Sequence, residues 1–402
     1  MDGHPMSVQR QAEFRRFALE RVAPHACTHD RLERLADGIV PSLAQQGYLA
    51  PFLPPQWGGT SLDMVTYGAL HEEIGRACSA VRSLLTVHDM AAFSIFRWGN
   101  AAQRSKWLDP LCRGEASGAF AISEPNAGSD VNGIETTAEP TSDGFVLNGR
   151  KKWITCGQIA HVFVVLARSK NGPTALLIER GTEGFNVEPM RGVTGTRGSM
   201  LGSLSFRECF VPKSALLGRP GFGANSVALS ALGLGRYSVA CGSVGIAQAA
   251  LDASFEYAGR VKTFGVLLRE HQLIQRMLTG MITDIAASRA LCRLAGALKD
   301  NKDPHEIMQT FIAKYHASTA AMRAADNAVQ IHGANGCSQD YPVERLMRDA
   351  KVMEIIEGST QIQQITIAGL GYQEFERLRV CAQNIAPEAH LANITGERAH
   401  AR

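Results

Sequence analysis

Residues 355–361 read Ile355-Ile356-Glu357-Gly358-Ser359-Thr360-Gln361. This segment places one carboxylate, Glu357, after two branched apolar residues and directly before a glycine. Apolar neighbours remove water from a carboxylate, which raises its pKa toward the range in which a general base works. The glycine lets the backbone turn sharply and approach a ligand closely. A Glu-Gly pair alone is more often the end of a helix, so the interpretation depends on other segments.

Two upstream segments give this interpretation its weight. A short apolar strand runs into a turn rich in hydroxyls and backbone N–H groups at Phe120-Ala121-Ile122-Ser123-Glu124-Pro125-Asn126-Ala127-Gly128-Ser129-Asp130. Such a turn can hold an anion or a carbonyl-rich ring, although an Asx-capped strand end has the same composition. Further on, Trp153 and Thr155 stand two apart on one predicted strand face. The alternative for a strand tryptophan is a core aromatic.

Composition excludes several classes of function. The chain has 402 residues, 45% of them hydrophobic and 20% charged, as expected of a soluble globular protein of two or three domains. Its formal charge of +3 is spread along the chain, so we expect neither nucleic acid nor membrane as a partner. Nine cysteines without metal-ligand spacing indicate reduced thiols in a cytoplasmic protein, and no metal site. The start of the chain lacks the pattern of a signal peptide, and Arg236 interrupts its most apolar stretch.

The periodicity of apolar residues divides the chain into four parts. Residues 1–118 have helical spacing, residues 119–215 have the pattern of strands, residues 216–382 are helical again, and residues 383–402 form a polar tail. Within the strand region, Asn148-Gly149 predicts a hairpin turn between strands at 144–147 and 152–155.

The three segments, in this order and at this spacing, resemble the acyl-CoA dehydrogenase family of flavoproteins over nearly the whole chain. The resemblance implies an α+β fold with an N-terminal helical domain, a middle β-barrel-like domain and a C-terminal four-helix bundle. It also implies FAD as cofactor and a homodimer or homotetramer whose cofactor sites are shared between subunits. The reduced flavin would pass its electrons to an electron-transfer flavoprotein or to oxygen.

The resemblance also assigns roles to residues. Glu357 matches the catalytic base, which removes the α-proton of an acyl thioester while the β-hydrogen leaves as hydride to flavin N5. The matched cofactor contacts are Phe120, Ile122, Ser123, Ser129, Trp153, Thr155, Gln272, Gln330, Gly333, Ser359 and Gln361. Of these, Gln272 and the loop of Gln330 and Gly333 would reach the cofactor of the partner subunit.

One cofactor contact departs from the family pattern. The family has an arginine directly before Lys262 that binds the partner's pyrophosphate, and this chain has Val261 there. Arg260 stands one residue earlier, about 100° away around a helix. Arg260 and Lys262 therefore remain alternative candidates for this contact.

Two features concern the substrate. The segment 79–88 resembles the part of glutaryl-CoA dehydrogenase whose Arg-Ser pair binds a carboxylate at the distal end of the acyl pocket. Arg82 and Ser83 are therefore candidates for binding a polar acyl end, with a solvated helix arginine as an equally weighted alternative. The entrance segment 232–237 keeps the family's Arg236 but lacks the acidic and hydroxyl residues with which many members bind CoA.

Together with the 353–359 segment, in which Ile356 is a further substrate candidate, these features resemble the acyl-carrier-protein dehydrogenases of hydroxymalonyl- and methoxymalonyl-type extender-unit biosynthesis. The expected function is an FAD-dependent dehydrogenase of a short polar acyl thioester on a carrier protein, for polyketide assembly. The alternative enzyme is a CoA-linked short-chain or glutaryl-type dehydrogenase. A non-catalytic flavoprotein is a third hypothesis. Oxidases of nitroalkane type replace the glutamate by aspartate, so Glu357 argues against them.

Overall fold

The structure, a computed structural model, describes the backbone of residues 5–385 and the side chains of residues 9–381. Apart from residues 383–385, which continue the last helix, the predicted polar tail lies outside the described residues. The chain folds as helices, then a β-sheet, then helices again. The predicted α+β fold, with a β domain between two helical domains, is confirmed.

The first part of the chain is helical. Its helices are α1 (Pro5–Phe17), α2 (Ala26–Leu32), α3 (Ile39–Gln45), α4 (Met64–Ala77), α5 (Ser79–Trp98) and α6 (Ala101–Cys112). The starts of two of them have side-chain caps: Asp63 accepts from the backbone of Thr66 before α4, and Asn100 forms a capping box with Gln103 before α6. Almost all of α5 is buried, so this helix lies between the first helices and the rest of the protein.

The middle part forms one mixed eight-stranded sheet. Its strands are β1 (Gly118–Ala121), β2 (Thr137–Pro140), β3 (Gly144–Ile154), β4 (Val162–Ser169), β5 (Gly172–Glu179), β6 (Phe185–Pro189), β7 (Gly202–Pro212) and β8 (Leu216–Leu217). The order is β6-β7-β3-β2-β4-β5-β8, and β1 pairs in parallel with β4. Fully buried residues on β4 and β5 form the core of this domain.

The predicted hairpin turn at Asn148-Gly149 is wrong. Strand β3 continues through both residues, and its register against β7 shifts at this point, which is a β-bulge. Gly149 has φ +146°, and a Cβ there would lie 2.6 Å from the Cα of Thr136. Asn148 Nδ2 donates to Glu208 Oε1 at 2.8 Å, and Asn148 Oδ1 accepts from the Glu208 backbone at 2.8 Å. The dipeptide therefore shapes a bulge and binds the neighbouring strand.

The last part is a helical bundle. Its helices are α7 (Leu229–Arg260), α8 (Gln272–Asp300), α9 (Glu306–His332), α10 (Val343–Met353) and α11 (Thr360–Ile385), with a small hairpin of β9 (Lys262–Thr263) and β10 (Val266–Leu267) between α7 and α8. By length and composition alone, the segment Gly223–Arg260 is apolar enough to cross a membrane. Most of that segment is buried against α4, α5, α8 and α9, so it is the central helix of the fold.

A cluster of charges joins the three parts of the chain at α10. Both terminal nitrogens of Arg348 donate to the carboxylate of Asp30 on α2, at 3.0 and 2.6 Å, and Arg348 also donates to Thr194 O in the β domain at 3.0 Å. The neighbouring carboxylate of Asp349 accepts from the backbone of Thr196 at 2.6 Å. Because α10 ends four residues before Glu357, this cluster positions the segment that carries the carboxylate.

Replacing Arg348 by methionine is expected to lower the melting temperature of the protein. The substitution removes a two-pronged, mostly buried contact with Asp30, and hydrogen bonds to charged groups are worth about 2 kcal/mol each. The matched control is Arg377→Met, which removes an exposed pair with Glu374 on α11 and should leave the melting temperature nearly unchanged. Equal melting temperatures for the two variants would contradict the role of this cluster.

Candidate active site

Glu357 lies in a left-handed turn between α10 and α11. Its φ is +54°, and Gly358 follows at φ +92°. A non-glycine residue in this region is strained by roughly 1–3 kcal/mol and persists only where its surroundings fix it. The turn points the carboxylate at α7, where a Cβ on Gly235 would lie 2.5 Å from Glu357 Oε2. A larger residue at position 235 would therefore force the Glu357 carboxylate to shift.

Three side chains from three helices hold this turn. The Nε of Arg236 donates to Glu357 O at 3.2 Å, and the Nζ of Lys314 donates to Gly358 O at 2.6 Å. Gln363 Nε2 lies 3.2 Å from Glu357 O and 3.0 Å from Gly358 O. The two carbonyls thus receive donors from α7, α9 and α11, which offsets the strain of the turn.

Lys314 and Gln363 contact the Glu357 turn and were missed by the sequence analysis. Both side chains are fully buried, and their hydrogen bonds within the described residues go to backbone oxygens of the turn. A sequence signal does exist for Lys314, because it directly follows Ala313 on the alanine-rich inner face of α9. A charged residue on such a face needs a specific partner. Gln363 has no comparable signal.

Arg236 does not line the entrance of the site, where the sequence analysis placed it. Its side chain is almost fully buried behind the Glu357 turn. The guanidinium carbon lies 4.5 Å from the centre of the Phe311 ring, while Nε is occupied by Glu357 O. This arrangement corrects the expectation: Arg236 supports the carboxylate-bearing turn.

The site combines one buried carboxylate oxygen with three nearby cations. Glu357 Oε2 is buried and has no hydrogen-bond partner among the described residues. Burial raises the pKa of Glu357, and the charges of Arg236, Arg82 and Lys314 limit that rise. Burial in turn lowers the pKa of Lys314 to about 8 and that of Arg82 to about 10. Three cations around one carboxylate can stabilise a second negative charge that a substrate brings or develops.

Arg82 is completely buried, so the alternative of a solvated helix arginine is wrong. Its Nη1 donates to Thr86 Oγ1 at 3.0 Å, and its Nη2 lies 2.9 Å from Ser83 Oγ and 3.1 Å from Met353 Sδ. A Cβ on Gly242 would lie 2.7 Å from the Arg82 Cδ. Among the described residues, the hydrogen-bond partners of this buried guanidinium are hydroxyls and a thioether and include no carboxylate, which is unusual for a buried arginine.

A second group of predicted residues lies around β1 and β3. Phe120 and Ile122 are buried in a core cluster, Ser123 and Thr155 are half-buried, and Ser129 is exposed. The backbone N–H of Lys152 donates to Ser123 O at 2.9 Å, which fixes the strand of Trp153 against the 120–123 segment. The structure therefore brings these two segments together.

Trp153 presents its ring to solvent and is not a core aromatic. Its side chain is 51% exposed, and its φ of +65° interrupts the strand alternation that was expected for Trp153 and Thr155. The cause is a second bulge of β3 against β7, between Lys151 and Ile154. An exposed indole beside the hydroxyl of Thr155 fits a flat, polar ring system such as a flavin.

A buried ion pair that the sequence analysis missed supports this segment. Lys151 Nζ donates to Glu124 Oε1 at 2.7 Å and to Ile122 O at 2.9 Å, while Glu124 also accepts from the backbone of Thr136 at 3.0 Å. Both side chains are almost fully buried, and burial lowers the pKa of Lys151 to about 8. Because Lys151 alternates with the exposed side chain of Arg150 along β3, strand periodicity alone could have identified it as inward-facing.

The remaining predicted cofactor residues lie apart from Glu357. Five of them are exposed at the far end of the bundle: Arg260, Lys262, Gln272, Gln330 and Gly333. Arg260 is 24 residues after Arg236 on α7, which is about 36 Å along a helix. Two other predicted residues, Ser359 and Gln361, directly follow the turn, half-buried and exposed respectively. Of the predicted substrate residues, Ser83 contacts Arg82, and Ile356 directly precedes Glu357.

Family models identify the class of protein. The N-terminal domain of acyl-CoA dehydrogenase matches residues 7–115, its middle domain matches residues 119–209, and its C-terminal domain matches residues 224–369. The chain therefore belongs to the acyl-CoA dehydrogenase family. Members of this family are FAD enzymes, so the chain is an FAD-dependent oxidoreductase.

Individual relatives are similar over most of their length. The mitochondrial short-chain specific acyl-CoA dehydrogenase of Mus musculus is 37% identical over 361 residues, covering 88% of this chain and 87% of that protein. A Mycobacterium smegmatis glutaryl-CoA dehydrogenase in complex with FADH2 has a TM-score of 0.87 at 26% identity, covering 91% of this chain and 94% of that one. The prolyl acyl carrier protein oxidase AnaB also has a TM-score of 0.87 at 26% identity, covering 92% and 99%.

Replacing Lys314 by methionine is expected to shift the acid limb of the kcat/KM profile to higher pH. Lys314 is one of the cations that lower the pKa of Glu357, so its removal lets that pKa rise. A base must be ionised to act, and the variant then needs a higher pH to reach the same ionised fraction. The measurement is kcat/KM for an acyl thioester against pH, at equal flavin content.

The control for this variant is Lys351→Met. Lys351 is mostly exposed and pairs with Glu354 at 2.8 Å, without contacting the Glu357 turn. Its removal should leave the profile in place. An acid limb that stays unchanged in the Lys314 variant, or moves to lower pH, would contradict the assigned electrostatics.

Proposed function

We propose that this chain is a dehydrogenase of a short acyl thioester whose acyl group ends in a polar or acidic group, with Glu357 as the catalytic base. The observation that carries the proposal is Arg82, a fully buried cation beside the base whose contacts are hydroxyls and a thioether. A carboxylate or hydroxyl at the end of the acyl group would supply the partner that this arginine lacks.

The geometry along α7 suits a short acyl group. Glu357 packs against α7 at Gly235, and Arg82 packs against the same helix at Gly242. Seven residues of helix correspond to about 10 Å. A chain of a few carbon atoms, together with a hydrogen bond to the long side chain of Arg82, bridges such a separation. Met90, which is buried and lies against Gly235, limits the width of the site.

In the proposed reaction, the Oε2 of Glu357 takes the α-proton of the thioester. This oxygen is buried and unpaired, so no other group of the described chain competes for the proton. The backbone N–H of Glu357 makes no hydrogen bond within the described residues, which leaves it free to donate to the thioester carbonyl and stabilise enolate charge. FAD, when bound, supplies the acceptor for the hydride from the β-carbon. Trp153, Thr155 and the 120–123 segment would hold it.

We further propose that the thioester is carried by an acyl carrier protein, as in extender-unit biosynthesis for polyketides. The entrance segment 232–235 reads Leu-Gly-Leu-Gly, without acidic or hydroxyl side chains for the adenosine part of CoA. The similarity to a prolyl acyl carrier protein oxidase supports this choice. The second candidate is a CoA-linked short-chain or glutaryl-type dehydrogenase, which the 37% identity to the mouse enzyme favours.

The proposed assembly is a homodimer or homotetramer with shared cofactor sites, in the cytoplasm. The observation that supports this assembly is that five predicted cofactor residues are exposed and remote from Glu357: Arg260, Lys262, Gln272, Gln330 and Gly333. Phe264, beside them at the tip of the β9–β10 hairpin, is 99% exposed. A fully exposed aromatic side chain next to these residues is suited to burial at a subunit interface.

Replacing Glu357 by glutamine is expected to keep the bound flavin and to lower kcat by roughly 10²–10⁴-fold, because the amide cannot accept the α-proton. The control is Glu354→Gln, which changes a carboxylate three residues earlier that pairs with Lys351 outside the site. Anaerobic single-turnover flavin reduction measures both. If the flavin of the Glu357 variant is reduced at the wild-type rate, the assignment of Glu357 as the catalytic base is contradicted.

Anaerobic bleaching of the flavin absorbance identifies the carrier and the acyl class. Three-carbon oxygenated acyl groups are offered on an acyl carrier protein and on CoA, beside glutaryl-CoA and butyryl-CoA. We expect polar acyl groups on the carrier protein to bleach the flavin absorbance rapidly. Rapid bleaching only by CoA thioesters would replace the carrier-protein assignment by the CoA-linked one, and equal rates for polar and apolar acyl groups would remove the proposed role of Arg82.

A further inference from the structure

A chain of buried polar side chains runs from Arg82 into the core, away from Glu357. Arg82 Nη1 donates to Thr86 Oγ1 at 3.0 Å, and Thr86 Oγ1 lies 2.5 Å from Ser238 Oγ. Ser238 Oγ lies 3.0 Å from His71 Nδ1, and His71 Nε2 faces Asp89 Oδ2 at 3.6 Å. The five side chains come from α4, α5 and α7, and each is at most 3% exposed.

The available donors and acceptors allow the hydrogen bonds of this series of side chains to be oriented in one direction. Arginine can only donate, so Thr86 Oγ1 accepts from it and its own proton goes to Ser238 Oγ or to the Arg82 carbonyl, which is 3.0 Å away. Burial lowers the pKa of His71, which favours the neutral imidazole. With its proton on Nε2, facing Asp89, the Nδ1 of His71 accepts from Ser238. Every donor can then point from Arg82 toward the carboxylate of Asp89.

Asp89 is the fixed end of the chain. Its Oδ1 accepts from the backbone of Ala50 at 2.8 Å, and its Oδ2 accepts from the Tyr67 hydroxyl at 2.9 Å. The 3.6 Å approach of His71 is longer than a hydrogen bond, so the contact with His71 is electrostatic and selects its tautomer. His71 Nε2 has no hydrogen-bond partner among the described residues, so Asp89 acts on His71 through its charge, while the hydrogen bonds from Arg82 to His71 Nδ1 hold the other members in place.

We propose that Ser238 and His71, fixed by Asp89, are positioning residues that hold Arg82 for the polar end of the acyl group and so set substrate specificity. The inference rests on the proposed function. Ser238 and His71 touch neither the turn of Glu357 nor the predicted flavin residues in the structure. Their loss should therefore weaken recognition of the acyl end without changing the chemistry at the α-carbon.

The test uses Ser238→Ala and matched pairs of phosphopantetheine thioesters: 3-hydroxypropanoyl with propanoyl, and glutaryl with pentanoyl. We expect KM for the polar member of the preferred pair to rise about 10-fold, the effect of roughly one lost hydrogen bond to a charged group. The kcat values and the KM for the apolar member should stay near wild type. His71→Leu should behave like Ser238→Ala, while His71→Asn, which keeps an acceptor for Ser238, should restore part of the preference.

The matched control is Ser243→Ala on the same helix. Ser243 is equally buried, but its hydroxyl donates only to Val239 O one turn earlier, so its removal should leave both KM values unchanged. Equal changes for polar and apolar substrates in Ser238→Ala, or no change at all, would overturn the positioning role. A wild-type enzyme with no polar preference would overturn the proposed acyl class and the network together. In a further outcome, Arg82→Met abolishes the wild-type preference for polar acyl groups and Ser238→Ala does not. This result would support the proposed function and refute only the positioning role of Ser238 and His71.

Discussion

The left-handed turn at Glu357 and Gly358 is the constraint on which the site depends. A glutamate at positive φ is unfavourable, and here its carbonyl and the next one receive hydrogen bonds from Arg236, Lys314 and Gln363. These donors belong to three helices of the bundle, so the turn forms only when the bundle packs correctly. The strain has a consequence for chemistry, because this conformation directs an unpaired carboxylate oxygen at α7.

One face of α7 contacts Glu357, Thr86 and Arg82. Gly235 lies against the carboxylate of Glu357, Ser238 against Thr86, and Gly242 against the side chain of Arg82. The spacing of three and four residues places these small side chains on one side of the helix. A larger residue at either glycine would displace the base or the arginine. The central helix therefore aligns Glu357 and Arg82, the proposed base and the proposed binding cation, along one of its faces.

Much of this arrangement has a local signature in the sequence. The change from helical to strand periodicity near residue 119 indicates the three-part organisation. The Glu357-Gly358 pair, between apolar residues and a hydroxyl, marks the segment that carries the proposed base. One prediction from local turn propensity was wrong. Asn148-Gly149 has the composition of a hairpin turn, but the pairing of β3 with both β2 and β7 keeps the strand continuous and turns the dipeptide into a bulge.

The parts of the site that sequence could not provide are tertiary contacts. Ser238 Oγ lies within hydrogen-bond distance of His71, which is 167 positions earlier in the chain. Arg236 donates to Glu357 O, although the sequence analysis expected it at the entrance of the site. Nothing in the neighbours of either residue encodes these partners. The same holds for Gln363, whose amide has a role only because two carbonyls of a strained turn lie within reach.

We propose that the buried Arg82 selects the polar end of the acyl group, and the rest of the substrate assignment depends on this role. The most direct measurement is the dissociation constant of unreactive acyl-thioether analogues, one ending in a carboxylate and one in a methyl group, for the wild type and for Arg82→Met. We expect the wild type to prefer the acidic analogue by about 10–100-fold, and the variant to lose this preference while it binds the methyl analogue as before. If the substitution weakens both analogues by the same factor, Arg82 has a structural role and the claim is contradicted.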